Sequence, residues 1–288
     1  MNKYISPTDL ILTASGSIYH LNLKPEHVGD TIIAVGDPDR VAQVSKYFDE
    51  VTFRQVQREF VTHVGTLRGK QITVISSGIG PDNVEILLTE LDALANIDLQ
   101  ARIEKTQRRK LRIIRIGTSG ALQEDVPVGT FLASGYGVGL DNLMAFYQLP
   151  QTEEEIALGE AVQQQIGLPF QPYVVKGSQT LLDTIGVDMY HGVTVTTPGF
   201  YAPQGRQVRI ATRFPELLPK FEEFVQQETG VRLTNFEMET AAYYGLSRML
   251  GHEALSVNAI IANRIRNEFA ANHHDIVDNL IRKVLGRL

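Results

Sequence analysis

The chain has 288 residues, of which 43% are hydrophobic and 21% are charged, a composition typical of a soluble globular protein. Its 27 basic residues against 33 acidic residues give a formal net charge of −6, which argues against a general nucleic-acid or membrane-surface binder. The sequence has no cysteine, which excludes a disulfide scaffold, a thiolate nucleophile and a cysteine zinc site.

The N-terminal region lacks the features of a targeting segment. The apolar run Leu10-Ile11-Leu12 follows an aspartate and is too short for a signal-peptide core. No apolar run in the sequence approaches the length of a membrane span. We therefore expect a cytoplasmic protein in which residues 1–20 form an N-terminal extension.

Strand-like and helix-like stretches alternate along the rest of the chain. The predicted strands cover residues 32–35, 71–77, 111–116, 130–134, 173–176, 193–196, 232–236 and 254–262. The predicted helices cover residues 41–48, 83–96, 152–166, 215–228, 239–250 and a C-terminal segment. This alternation indicates an α/β domain with a mostly parallel sheet.

The segment Gly36-Asp37-Pro38-Asp39-Arg40 directly follows the first predicted strand. Asp39 is placed to cap the helix after it, so that backbone N–H groups and the guanidinium of Arg40 converge at the carboxyl end of the strand. Such a junction suits an anion, because a helix N-terminus and an arginine both favour negative charge. An ordinary strand–turn–helix joint with a solvated arginine is the alternative.

A second arginine occurs where a predicted strand runs into a turn rich in glycine, threonine and serine, at residues 117–120. Alternation places Arg112 out of phase with Arg115, so at least one of them is enclosed. A buried arginine requires an acidic partner or an anionic ligand. Arg115 lies near the hydroxyl of Thr118 at the expected strand end, where doubly wound sheets bind ligands. A structural ion pair is the alternative.

Two further groups of residues are candidates for ligand binding. Glu237-Met238-Glu239 places two carboxylates at a strand-to-helix exit, where they can accept hydrogen bonds from vicinal hydroxyls, as in ribose recognition. The alternative is helix-dipole charge placement in a first turn. Phe200-Tyr201 lies close to Gln204 and Arg206, which offers stacking and polar groups for a planar heterocycle. An ordinary surface loop is the alternative there.

Together these motifs resemble the nucleoside phosphorylase family over nearly the whole chain, and within it the branch that acts on uridine. The segments that carry the resemblance are His20-Leu21, residues 36–40, Arg58-Glu59-Phe60, residues 115–120, Phe200 with Gln204 and Arg206, residues 237–239 and Asn263-Arg264. The resemblance implies a single domain over residues 1–288, built as a three-layer α/β sandwich around a mixed, mostly parallel sheet.

The resemblance also implies an activity: the reversible phosphorolysis of uridine to uracil and ribose 1-phosphate by a pentosyltransferase of pyrimidine nucleoside salvage. Inorganic phosphate is then a co-substrate, and no cofactor is required. The implied assembly is a homodimer or a hexamer built as a trimer of dimers, with no nucleic-acid or membrane partner.

Family positions imply a role for each site residue. The expected phosphate site contains Gly36, Arg40, Arg115, Thr118 and, from a neighbouring subunit, Arg58. The expected ribose contacts are Thr118, Glu237, Met238, Glu239 and, again from the neighbour, His20. The expected uracil pocket contains Phe200, Gln204, Arg206 and Arg264. The residues expected to act in catalysis are Arg115, Gln204, Arg206 and Glu239.

Glu59 and Ile79 resemble two ligands of an intersubunit monovalent cation, such as a structural potassium ion, in some bacterial members of the family. Asn83 occupies the third position here, and Pro81 replaces a glycine of the family pattern. The chain therefore departs from the family at this cation site.

Three other functions are consistent with the same fold. Purine nucleoside phosphorylases of the family carry an aspartate after the last long strand, where this chain has Asn263-Arg264. Nucleosidases use water and lack the set of phosphate arginines, whereas Arg40, Arg58 and Arg115 are all present. A nucleoside-binding protein without catalytic activity is the most distant alternative.

Overall fold

The computed structural model describes residues 4–288, so the first three residues of the expected N-terminal extension lie outside the described residues. The described chain forms two compact units. The first contains the residues through Arg115 together with Leu246–Glu253, and the second contains Ile116–Gly245 and Ala254–Leu288. The single-domain organisation expected from the sequence stays a prediction.

The first unit contains a hairpin-rich sheet region. Its elements are β1 (Thr31–Val35), α1 (Pro38–Ser45), β2 (Glu50–Gln57), β3 (Phe60–Leu67), β4 (Lys70–Ser76), α2 (Pro81–Asn96), β5 (Ile97–Asp98), β6 (Ile103–Glu104) and the start of β7 (Arg112–Ala121). Strand β1 pairs with β4 in parallel, whereas β4, β3 and β2 are consecutive antiparallel neighbours. Strands β5 and β6 form a separate antiparallel pair.

The second unit contains the rest of β7 and the later elements. These are β8 (Phe131–Gly139), α3 (Glu153–Ile166), β9 (Tyr173–Lys176), α4 (Gln179–Thr184), β10 (Tyr190–Thr196), α5 (Leu217–Glu223), β11 (Asn235–Glu237), α6 (Thr240–Leu250), β12 (Glu253–Asn263), β13 (Glu268–Phe269) and α7 (His273–Leu285). The end of α6, from Leu246, and the first residue of β12 belong to the first unit. Strand β10 is parallel to β8 and β11. The pairs β11–β7, β12–β8, β12–β13 and β8–β9 are antiparallel.

The α/β architecture with a mixed central sheet is confirmed. Within the first unit, β2, β3 and β4 are joined by antiparallel pairs. The reason is local: β2, β3 and β4 are joined by tight turns, and a tight turn can connect only antiparallel strands. No helix within residues 4–288 is both long and apolar enough to cross a membrane.

Apolar side chains at helical spacing cover one face of the sheet in the second unit. Leu158, Val162 and Ile166 recur every four residues on α3 and are buried, which places them on one face of the helix. They belong to a core with residues of α5, β8, β10 and β11: Phe221, Val138, Val195 and Phe236. This packing holds the carboxyl ends of β10 and β11 in a fixed register, with Thr196 opposite Glu237.

The strand that contains Arg115 and helix α5 both have boundaries that differ from the sequence-based prediction. The strand containing Arg115 does not turn after Ile116 but continues through Ala121. A Cβ atom at Gly120 would lie 3.1 Å from the ring of Phe236, so this glycine allows close packing and does not form a turn. Helix α5 ends at Glu223 and not near residue 228, because Val225 pairs with Arg232 in an antiparallel bridge.

Candidate functional site

The loop after β1 places Arg40 in the first turn of α1. Asp37, and not Asp39 as predicted, caps this helix: its Oδ1 accepts a hydrogen bond from the Asp39 N–H at 2.9 Å. Pro38 has no N–H and fits the first helical position. Because the cap already uses the Asp39 N–H, the guanidinium of Arg40 becomes the main anion-binding candidate of this loop. Gly36 precedes the cap and is half-buried.

Arg115 lies within β7 and is only 4% exposed, whereas Arg112 is half-buried. The prediction that one of the two arginines is enclosed is therefore confirmed. Its expected position at a strand end was wrong, because β7 extends beyond it. Thr118 is half-buried on the same strand.

Arg58 occupies the turn between β2 and β3, with a left-handed φ of 55°. The side chain is exposed, and its guanidinium lies 5.9 Å from the ring centroid of Tyr19. Tyr19 in turn meets His20 edge to face, with centroids 4.8 Å apart. The hairpin turn and the N-terminal segment therefore present a basic and aromatic surface within the first unit.

His20 is held by a buried carboxylate on α2. Its Nδ1 lies 2.6 Å from Oε1 of Glu90, and the same carboxylate accepts the backbone N–H groups of His20 and Leu21. Sequence reasoning missed Glu90, since 70 residues separate the two partners. With Nδ1 engaged, Nε2 is the ring nitrogen that any further ligand of His20 would contact.

The three residues of the expected cation site lie around Gly78. A Cβ atom at this glycine would lie 2.7 Å from Nδ2 of Asn83 and 3.1 Å from the side chain of Glu59. The Asn83 amide donates to the carbonyl of Ile79 at 3.4 Å. The structure thus brings the three residues together. Within residues 4–288, no group of three or more histidines and acidic residues forms a metal-binding cluster.

In the second unit, the segment after β10 folds into a compact loop around Gln204. This side chain is 2% exposed, and its Nε2 donates to Oγ1 of Thr197 at 2.9 Å. Its Oε1 accepts a hydrogen bond from Arg206. A short 3₁₀ turn, Ala202–Gln204, brings the amide back toward the end of β10. The amide is therefore fixed by a partner on each side.

Two arginines gather around the aromatic rings of this loop. The guanidinium of Arg206 lies 3.8 Å from the ring centroid of Phe200 and donates to the Phe200 carbonyl at 2.7 Å. Arg264 lies 5.7 Å from the ring centroid of Phe236 and donates to the backbone carbonyl of Gln204 at 3.2 Å. The structure thus brings together all four residues expected to form the base pocket.

Burial, and next the positive charge of Arg264, lower the pKa of Arg206 to about 10. Burial also lowers the pKa of Arg264. Both side chains remain protonated at neutral pH, and their charges repel each other. A negatively charged or carbonyl-rich ligand relieves this repulsion, so the pair favours such a ligand over a cationic one.

The Glu237 carboxylate accepts hydrogen bonds at the start of α6. It accepts hydrogen bonds from the Thr196 hydroxyl at 2.7 Å, and from the backbone N–H groups of Glu239 and Thr240 at 3.0 Å each. The helix-start alternative therefore accounts for Glu237. Buried Glu239 and half-buried Met238 are the other two residues of the expected ribose group.

Asn263 shapes the turn that presents Arg264. Its Nδ2 donates to the carbonyls of Gln123 and Val126 at 2.9 and 3.0 Å. Its Oδ1 accepts the backbone N–H groups of residues 265 and 266. Sequence reasoning used Asn263 only as a family marker. Its buried position at the end of β12 makes it a structural residue of this turn.

Polar and aromatic groups at the carboxyl ends of parallel strands define a class of α/β proteins that bind small ligands at that edge. The model of the Phosphorylase superfamily matches residues 30–286. The chain belongs to this superfamily.

Several characterised relatives align over most of the chain. Uridine phosphorylase of Thermococcus kodakarensis is 30% identical over 263 residues, which cover 89% of this chain and 81% of the relative. Uridine phosphorylase of Haemophilus influenzae is 28% identical and covers 87% and 88%. A crystal structure of a Trypanosoma brucei nucleoside phosphorylase that shows uridine phosphorylase activity matches with a TM-score of 0.90 and 28% identity, covering 97% and 99%.

Proposed function

We propose that this protein is a uridine phosphorylase, which converts uridine and inorganic phosphate reversibly to uracil and ribose 1-phosphate. The observation that carries the proposal is the base pocket of the second unit, where Gln204, Arg206 and Arg264 surround the rings of Phe200 and Phe236. The names of the relatives support the same substrate.

The chemistry of this pocket suits uracil as a leaving group. Uracil offers two carbonyl oxygens and a ring N–H, and negative charge develops on it as the glycosidic bond lengthens. Arg206 remains a cation at neutral pH, so it stabilises that charge, and the Gln204 amide supplies a donor and an acceptor. The ring of Phe200 is half-exposed and offers a stacking face.

The residues proposed for phosphate and ribose complete the reaction. Arg40, Arg115, Thr118 and the backbone at Gly36 bind phosphate, whose attack on the anomeric carbon needs no covalent enzyme intermediate. The phosphate dianion stabilises the positive charge that gathers on the sugar. Met238 and Glu239 contact the ribose hydroxyls, while Glu237 supports them by holding the start of α6.

Base release from a panel of nucleosides tests the substrate proposal. With phosphate present, we expect uridine to be cleaved and inosine to be left largely intact. Gln204→Ala should reduce uridine turnover by roughly a hundredfold, the typical loss for one preorganised donor. Gln207→Ala, at an exposed position of the same loop, is the matched control. Robust inosine cleavage, or normal uridine turnover by Gln204→Ala, would refute the proposed base pocket.

We further propose a cytoplasmic homo-oligomer, a dimer or a trimer of dimers, in which each subunit lends residues to its neighbour. Arg58 is exposed at a hairpin tip, as a residue that reaches another chain must be. His20 retains Nε2 for the neighbour's ribose. A two-fold interface would complete both sites at once.

Subunit mixing tests the shared site. Arg58→Ala and Arg115→Ala chains should each be nearly inactive, and co-refolded mixtures should regain activity in mixed dimers. One of the two sites in a mixed dimer then combines the Arg115 of the Arg58→Ala chain with the Arg58 of the Arg115→Ala chain. A fully active monomer in sedimentation at assay concentration would rule the shared site out.

The cation site at Glu59, Ile79 and Asn83 is proposed as an intersubunit site for a monovalent cation. Its support is the clustering of a carboxylate, a carbonyl and an amide around Gly78, a donor set that suits a hard cation. Replacing potassium by tetramethylammonium should lower the melting temperature of the oligomer. An unchanged melting temperature would contradict the proposed cation site.

A further inference from the structure

We propose that Thr197 is a positioning residue that fixes the orientation of the Gln204 amide, and that it thereby favours uracil over cytosine. The inference rests on the proposed function, since it assumes that Gln204 contacts the base. Thr197 is fully buried at the end of β10, with no exposed surface. No motif in the sequence points to it.

The hydroxyl of Thr197 has only acceptors for its proton. Its Oγ1 lies 3.0 Å from the carbonyl oxygen of Gly199 and 3.2 Å from that of Glu237. Because a carbonyl cannot donate, the hydroxyl proton goes to one of these two oxygens. The lone pairs of Oγ1 then face Gln204, at 2.9 Å. An NH₂ group can donate to these lone pairs, whereas an amide oxygen in this place would take the hydroxyl proton away from both carbonyls. The NH₂ group is therefore the part of the amide that suits Thr197.

Arg206 imposes the same orientation from the other side. A guanidinium has five N–H donors and no acceptor, so the part of the Gln204 amide that meets it must be the carbonyl oxygen. Rotating the amide by half a turn would set oxygen against the lone pairs of Thr197 and NH₂ against the guanidinium. The hydrogen bond with Arg206 would be lost, and the Thr197 hydroxyl would have to turn from its carbonyl partners to the amide oxygen, around a side chain that is 2% exposed.

An amide fixed in this way retains one N–H and one oxygen lone pair for a ligand. Uracil matches this pair, because its N3–H donates and the carbonyl beside it accepts. Cytosine has a lone pair at N3 and an amino group beside it, so that edge would need the rotated amide. Thr197 and Arg206 oppose that rotation. The geometry therefore assigns Thr197 a role in selecting the base, although it need not touch the base.

Two substitutions separate the hydroxyl from the shape of the side chain. Thr197→Val removes the hydroxyl and keeps the branched shape, whereas Thr197→Ser keeps the hydroxyl. The assay is kcat/KM for uridine and for cytidine with saturating phosphate, alongside the melting temperature. Where cytidine turnover falls below detection, the inhibition constant of cytidine against uridine gives the same comparison. Should valine fail to pack, Thr197→Ala removes the same hydroxyl.

We expect Thr197→Val to lower kcat/KM for uridine by roughly tenfold, the effect of losing one hydrogen bond. The preference for uridine over cytidine should fall by a similar factor, while Thr197→Ser should stay close to the parent in both. If Thr197 had a merely structural role, its loss would lower kcat/KM equally for uridine and cytidine and leave the preference between them unchanged. That result, with normal behaviour of Thr197→Ser, would overturn the inference.

Gln204→Ala distinguishes this failure from a failure of the proposed function. If Gln204→Ala leaves uridine turnover unchanged, the base pocket itself is misassigned. If Gln204→Ala impairs turnover but Thr197→Val leaves the preference for uridine unchanged, only the role of Thr197 is wrong.

Discussion

Glu237→Gln separates two roles for this carboxylate, as a cap of α6 and as a ribose contact. The substitution keeps the side-chain length but replaces one oxygen, so at least one of the buried donors at Thr196, Glu239 or Thr240 loses its acceptor. An unsatisfied buried donor costs about 1–3 kcal/mol, and loss of negative charge at a helix N-terminus adds about 0.3–1 kcal/mol. We therefore expect the variant to be about 2–3 kcal/mol less stable.

Thermal unfolding followed by circular dichroism measures this loss. For a chain of this size the melting temperature should fall by roughly 4–10 °C, while turnover of uridine at 25 °C is largely retained. Glu239→Gln is the comparison variant, and there we expect the loss to lie mainly in turnover. A melting temperature for Glu237→Gln that stays within about 1 °C of the parent, together with abolished turnover, would show that Glu237 contacts ribose instead.

Three further perturbations test other parts of the structure. Arg115→Ala should lower phosphorolysis by roughly a hundredfold with an unchanged circular dichroism spectrum, and near-normal turnover would make Arg115 a structural ion-pair residue. Burial raises the pKa of Asp141, so the fold loses stability as the pH rises through the range in which this carboxyl ionises. The melting temperature of Asp141→Asn should therefore depend less on pH, between acidic and neutral buffers, than that of the parent. An identical pH dependence of the two proteins would contradict the reasoning. Asn263→Asp should lower stability, because the new oxygen faces the carbonyls of Gln123 and Val126. The variant should not gain inosine cleavage, and inosine turnover by it would contradict the structural role of Asn263.

Elements with strong local signals were predicted well. The helix expected over residues 152–166 is observed as Glu153–Ile166, because Thr152 and Glu155 form a capping box that fixes its start. Strand β9 has the predicted bounds. The burial of Arg115 follows from its place within an apolar strand that is buried on both faces. In each case, neighbouring residues alone determine the outcome.

Features that depend on distant contacts were not predictable in this way. The hairpin of β2 and β3 is rich in polar residues, and every second residue of β2 is exposed, so its apolar pattern is weak. Glu90 reaches His20 across 70 residues, and Thr197 meets Gln204 within a loop that has no periodicity. The candidate base pocket was foreseen by family resemblance, whereas the hydrogen bonds that orient it required the fold.

The most direct test of the proposed function is the phosphate dependence of uracil release. Purified protein is incubated with uridine in buffer containing phosphate and in phosphate-free buffer, and uracil and ribose 1-phosphate are quantified. Since Arg40, Arg58 and Arg115 are proposed to bind the attacking phosphate, we expect uracil and ribose 1-phosphate in equal amounts with phosphate, and almost no uracil without it. Equal uracil release in both buffers, with free ribose as the sugar product, would identify a nucleosidase and contradict the proposal.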